Sequence, residues 1–209
     1  MDLQTHIEPS LSISFAPPHH QLSTPSTMSN TLPPGFVIRP LRPDDDLLQI
    51  TELIHSAYAS HAQGGLRYWG THQTVEDTAK RFAMGWGVVV TDPAGRCIAT
   101  CTVRRSQPES PVPLYRNPAV VSLSQFCVSP AHKGMGLGRL VHAQALQVAR
   151  DAGATTMALD TAAPALALIA MYESWGYRVV GGCDWRPHTN YPSVLMARAV
   201  DMHPPHSPS

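Results

Sequence analysis

The most constraining stretch of this chain is Val128-Ser-Pro-Ala-His-Lys-Gly-Met-Gly-Leu-Gly-Arg139, with glycines at 134, 136 and 138. An apolar, strand-like run precedes it and an amphipathic, helix-like run follows. Glycines at alternate positions leave the backbone bare, so several N–H groups can converge on one anion at the positive end of a helix dipole. Lys133 and Arg139 bracket the turn with positive charge. Such a turn is built to cradle a pyrophosphate. A dinucleotide fingerprint, GxGxxG, is not met counting from Gly134 or from Gly136, and the Gly-Lys-Ser/Thr of a P-loop is absent.

The rest of the chain alternates between strand and helix patterns, which predicts an α/β domain with a mixed sheet. Strands are expected at Phe36–Leu41, Gly87–Thr91, Cys97–Arg104, Ala119–Val128, Thr155–Asp160, Tyr177–Gly181 and Val194–Arg198. Helices are expected at Asp44–Ser60, Thr74–Met84, Gly136–Ala152 and Ala165–Trp175, the last stopped by Gly176. The inward stripe of the third helix reads Leu137, Leu140, Val141, Ala145, Val148 and Ala152. One domain over 35–201 follows, flanked by Pro/Ser/His-rich tails at 1–34 and 202–209 whose composition predicts disorder. Met28 is an alternative start, and removing residues 1–27 is expected to leave fold and activity intact.

Fifteen basic and fifteen acidic residues give no net pull toward nucleic acid or an anionic membrane. No apolar run reaches the ~18 residues of a membrane span. No Lys or Arg precedes Arg39, so neither a signal nor a transit peptide is expected. Cys97, Cys101, Cys127 and Cys183 have no zinc or redox spacing and are expected to be buried, reduced thiols. Together these features predict a cytoplasmic protein. The eleven histidines form no ligand-spaced cluster, and no metal is expected.

Val-x-Pro, then Lys133-Gly-Met-Gly136-Leu-Gly138, then a helix, resembles the acyl-CoA motif of the GCN5-related N-acetyltransferases (GNAT). Ala-Met-Tyr172-Glu-Ser-Trp-Gly176-Tyr177 resembles that family's second signature, and Val-Ile-Arg-Pro-Leu-Arg-Pro-Asp-Asp a common opening strand. The resemblance implies acetyl-CoA as co-substrate, held where two central parallel strands, Ala119–Val128 and Thr155–Asp160, splay apart. It implies Lys133, Gly134, Met135, Gly136, Gly138 and Arg139 at the pyrophosphate. The backbone near Phe126 and Val128 would pair with the pantetheine arm, and an N–H there would face the oxyanion. Tyr172 is implied as general acid to the leaving thiolate. The strand before the cradle has no carboxylate where many members carry a Glu, which leaves the base open among water held by Gln125 or the serines, Asp160 and His72. Ala165 stands where the family often has Asn.

The expected reaction is acetyl transfer to a primary amine by direct attack in a ternary complex, in a monomer or homodimer. The alternatives are a protein or peptide acetyltransferase and a non-catalytic acyl-CoA sensor. Arg67, Trp69 and His72 in the loop after the first helix, with Gln125 and Tyr191, are the candidate acceptor contacts, and Arg186 stands in a second candidate wall. Guanidiniums and aromatics there suit a small amine that also carries a carboxylate better than a polyamine.

Overall fold

The structure is a computed structural model that describes residues 31–201 of the 209. The remaining residues, and with them the disorder and truncation expectations for the two tails, lie outside the described residues. Seven strands, β1 (Val37–Pro40), β2 (Gly85–Thr91), β3 (Cys97–Arg104), β4 (Val120–Val128), β5 (Thr156–Ala162), β6 (Arg178–Asp184) and β7 (Pro192–Ala199), form one mixed sheet. Five helices flank it: α1 (Leu47–Gln63), α2 (Val75–Ala83), α3 (Pro113–Arg116), α4 (Leu137–Asp151) and α5 (Leu166–Ser174). The expected fold class, a single α/β domain with a mixed sheet, is the one observed.

The strand order is β1-β2-β3-β4-β5-β7-β6, and β4 and β5 are its one parallel neighbour pair. They pair only at their starts, Val120 with Thr156, Val121 with Met157 and Ser122 with Ala158. Beyond Ser122 the two strands run on without pairing, so the sheet opens as a V at its centre. The strand facing β4 on its other side adds a second irregularity. Thr100 stands opposite Cys127 and Thr102 opposite Ser124, so Gln125 and Phe126 share the place across from Cys101. This is a β-bulge, and Gln125 carries it with φ 51°, the single non-glycine residue at positive φ among the described residues.

α4 and α5 cover one face of the sheet. Leu137, Val141, Ala145 and Ala149 pack there with Val88, Val103, Leu123, Met157 and Leu159. α1 and α2 cover the other face through Ile50, Leu53, Ile54 and Phe82 against Val89, Cys97 and Cys127. The inward stripe of α4 thus runs in steps of four through Ala149, and Ala152, expected inside, is exposed.

Other departures have local causes. α1 begins at Leu47 because Asp46 is its cap, accepting from the N–H groups of Leu48 and Gln49. Asp45 instead turns back to Arg39, with Nη1 and Nη2 at 2.8 and 2.6 Å. α2 has a capping box, with Thr74 and Asp77 satisfying each other's backbone. α3 has no counterpart in the sequence reading, being a single turn opened by proline. β6 runs on to Asp184, three residues past its expected end at Gly181. Gly181 and Gly182 follow a register shift at Val179–Gly181 and keep pairing with β7. The cysteines are free; Cys97, Cys101 and Cys127 are buried and Cys183 half-buried.

One buried titratable group beneath the turn predicts acid sensitivity. His142 of α4 is buried, 3.0 Å from the Tyr177 hydroxyl and 4.7 Å from the Trp175 ring. Burial, with Arg198 and Arg139 nearby, pulls its pKa down to about 4. The unfolded chain takes up this proton near 6.5, so stability is complete above that pH and falls as pH drops toward 4, by on the order of 3 kcal/mol. Thermal melts from pH 7.5 to 4.5 should show a falling midpoint, and His142→Gln should flatten that slope. An equal slope in the variant overturns the assignment to His142.

Candidate active site

β4 runs into the glycine turn through a short 3-10 turn, Pro130–His132, and α4 starts at Leu137. Gly134 and Gly136 have φ of 83° and 77°, the left-handed region that a side chain strains. Gly136 is the cap of α4 and gives no side-chain hydrogen bond. The N–H groups of residues 134–138 donate to no protein acceptor among the described residues. A Cβ at Gly138 would meet Phe126, Val128 and Trp175 at 3.7–3.9 Å, ordinary contact distances. Packing therefore does not demand glycine at 138, whereas an anion approaching the bare N–H groups does benefit from it. Lys133 and Arg139 are exposed at the edges of the turn, and the Arg139 guanidinium lies 6.0 Å from the Trp175 ring centre. The residues present fit a pyrophosphate.

The opening V of the sheet leads from this cradle to the bulge. The Ser129 N–H bonds to the Ile98 carbonyl at 2.7 Å. Alternation along the antiparallel ladder then turns the Val128 N–H and C=O away from β3 and toward the gap. The Phe126 carbonyl is already engaged, accepting from the Tyr58 hydroxyl at 3.2 Å. Of the two backbone positions expected to pair with the pantetheine arm, Val128 is the one with its polar groups free.

Where the gap meets the bulge lies a cavity of about 850 Å³. Tyr172, the buried residue of α5, lines it. Its ring packs near Phe126, Trp175 and Tyr177 at 5.6–6.4 Å, and its hydroxyl has no protein partner among the described residues. Burial, reinforced by Tyr58 and Tyr177, raises its pKa well above the ordinary value. The hydroxyl is therefore a proton donor throughout the neutral range.

Of the acceptor contacts expected from sequence, Trp69, Gln125 and Tyr191 line the cavity. Arg67 and His72 do not. The 3-10 turn Trp69–Thr71 carries Trp69 inward and leaves both of them exposed. The Arg67 N–H bonds to Asn190 Oδ1, and His72 Nδ1 lies 3.1 Å from Thr71 Oγ1. Arg186 is also outside, paired with Asp184 at the surface. Trp69 stacks on His188 at 4.7 Å.

The sequence reading missed the cavity's charged groups, Arg81 and Arg104, and left Asp160 as one of several bases. Arg81 of α2 donates to Gln73 Oε1 at 2.7 Å; Gln73 donates to Gln125 Oε1 at 2.7 Å; Gln125 donates to Thr102 Oγ1 at 2.9 Å. This chain of amides ties a guanidinium to the bulge and holds the unusual Gln125 backbone in place. Asp160 accepts from Tyr115 Oη at 2.7 Å and Trp185 Nε1 at 2.9 Å. Burial raises its pKa, and the two donors work against that rise. Alternate polar residues in β4, Ser122 and Ser124, were the available signal that this face of the strand meets something polar.

A parallel-strand gap, an anion cradle at a helix start and a tyrosine hydroxyl at the far end define an acyl-CoA type of α/β transferase fold. The family model of the acetyltransferase (GNAT) family matches residues 47–177, more than half of the chain, which therefore belongs to that family. Solved structures agree in fold. A ribosomal-protein-S18-alanine N-acetyltransferase from Escherichia coli superposes with a TM-score of 0.61 at 18 % identity, covering 81 % of this chain and 96 % of its own. An acetyltransferase from Salmonella typhimurium, described as putative and solved with its cofactor acetyl-CoA, gives 0.59 at 20 % identity, covering 82 % and 98 %. A third, described as a putative acetyltransferase from Acinetobacter baylyi, gives 0.62 at 15 %, covering 81 % and 97 %. No curated protein sequence matches significantly.

Proposed function

We propose that this protein is an acetyl-CoA-dependent N-acetyltransferase acting on a small primary amine. The observation that carries the reading is the order of the parts along one strand: the cavity that Ser122 to Phe126 and Tyr172 line, the gap that opens beyond Ser122, and the glycine cradle at residues 134–138 that follows β4. When bound, acetyl-CoA supplies an acyl group activated as a thioester. The chain's own groups do the rest. The bare N–H groups and Lys133 and Arg139 hold the pyrophosphate, Val128 offers backbone pairing to the pantetheine arm, and Tyr172 holds a proton for the departing sulfur. No protein nucleophile is needed, and burial pushes the Cys127 thiol up, away from reactivity. The cavity's size suits a small acceptor more than a polypeptide segment. Four free cysteines support a reducing compartment, the cytoplasm.

The test is CoA release from acetyl-CoA with a panel of amines. Amine-dependent release, with the N-acetyl product found by mass spectrometry, supports the reading. Acetyl-CoA binding without turnover on any amine overturns it in favour of a binding module.

A further inference from the structure

One face of the cavity carries charged groups of both signs. In the sheet, Thr102 and Arg104 of β3 stand opposite Ser124 and Ser122 of β4. Continuing the β4–β5 register past Ser122–Ala158 places Asp160 level with Ser124 across the widening gap. Alternation puts Arg104, Ser122, Ser124 and Asp160 on one face of the sheet, and all four line the cavity together with Arg81.

Two buried polar atoms of this face, Arg104 Nε and Ser124 Oγ, have no hydrogen-bond partner among the described residues. A native protein leaves few such atoms without a use for them. Among the described residues neither guanidinium has a carboxylate partner: Arg81 bonds to Gln73, while Arg104 bonds to Gln107 and Met84. Both are held below the usual arginine range by burial, Arg81 at about 10. Asp160 is the one acid deep in the cavity, within electrostatic range of both. At the rim Asp77 and Glu109 offset Lys80 and Arg105. The interior is thus one cation in excess, and a buried unpaired cation is costly.

Resting on the acetyltransferase reading, we propose that the acceptor is a small amine that also bears an acid group, such as a carboxylate. Asp160 and Ser124 receive the amine near the bulge and Tyr172. Arg104 receives the acid about 7 Å further along the strands, the reach of one pair of residues, and Arg81 adds its charge from α2, where Gln73 ties it to the bulge. The ammonium uses the Asp160 lone pairs left over by Tyr115 and Trp185, since a carboxylate accepts about four hydrogen bonds. The acid supplies the charge-assisted partner that Arg104 Nε lacks. A polyamine would bring further positive charge against two guanidiniums.

The experiment compares kcat/KM of the wild-type protein on amino acids of several sizes, their amides, and linear polyamines, at fixed acetyl-CoA. Acids should exceed their amides by about 10²-fold, the loss expected for charge-assisted hydrogen bonds left unmade in a buried site. Arg104→Gln and Arg81→Gln should each bring the acid down toward its amide, with folding checked by thermal melts and acetyl-CoA affinity by calorimetry. The wild-type comparison stands even where a variant fails to fold. Equal use of acids and amides, or preference for polyamines, overturns this inference while leaving the acetyltransferase reading intact. No turnover on any class, with acetyl-CoA still bound, overturns both.

Discussion

Tyr172→Phe should lower turnover about 10- to 10³-fold, the range for removal of a general acid, and leave acetyl-CoA affinity nearly unchanged. The substitution removes one oxygen and keeps the ring against Phe126, Trp175 and Tyr177. That oxygen has no partner to lose among the described residues, so folding stability should not suffer. Its raised pKa keeps it protonated, so the neutral pH–rate profile should contain no limb assignable to Tyr172. Steady-state kinetics beside calorimetry separates the two quantities. Wild-type turnover in Tyr172→Phe removes the residue from the mechanism; equal losses of affinity and turnover make it a packing residue.

Gly136→Asp should abolish measurable acetyl-CoA binding, weakening it by at least about 10²-fold. The substitution sets a carboxylate where the phosphates belong, and like charges in one small site repel strongly. Gly136 has φ 77°, so any side chain strains the turn as well. Gly136→Asn separates the two effects, because asparagine has nearly the same shape, tolerates the left-handed region and carries no charge. Asn should lose far less affinity than Asp. Equal loss in both assigns the effect to backbone strain, and unchanged affinity in a folded Gly136→Asp protein moves the pyrophosphate elsewhere.

The cradle was readable from sequence because it is contiguous: one strand, one turn and one helix start carry all of its geometry. Tyr172 was singled out for a similar reason, from the motif around it at a helix end, and the structure brings it to the cavity. The charged face of the cavity was not readable. Arg81 comes from α2, Arg104 from β3, Ser124 from β4 and Asp160 from β5, and nothing local tells that their registers align. The sequence reading marked Arg104 only as a strand end and Arg81 only as a residue of the second helix. The loop residues Arg67 and His72 looked more suited to a ligand because they are polar and close in sequence, yet a single 3-10 turn points them outward. The bulge was also hidden, since no glycine marks it. Gln125 holds positive φ because hydrogen bonds from Gln73 and to Thr102 fix its side chain from both sides, a tertiary cause with no trace in the neighbouring sequence.

The V-shaped opening has a mechanical consequence. Across its middle the sheet is joined by three residue pairs, Val120–Thr156 to Ser122–Ala158, whereas β5 and β7 pair along seven. Strands β1 to β4 and strands β5 to β7 therefore behave as two plates riveted at one end. An extended arm bound along the inner edge of β4, as proposed above, would splint the open end. Cofactor and sheet would then become one load path, anchored at the turn of residues 134–138, with the far plate carrying Asp160 into register with the near plate's Ser124.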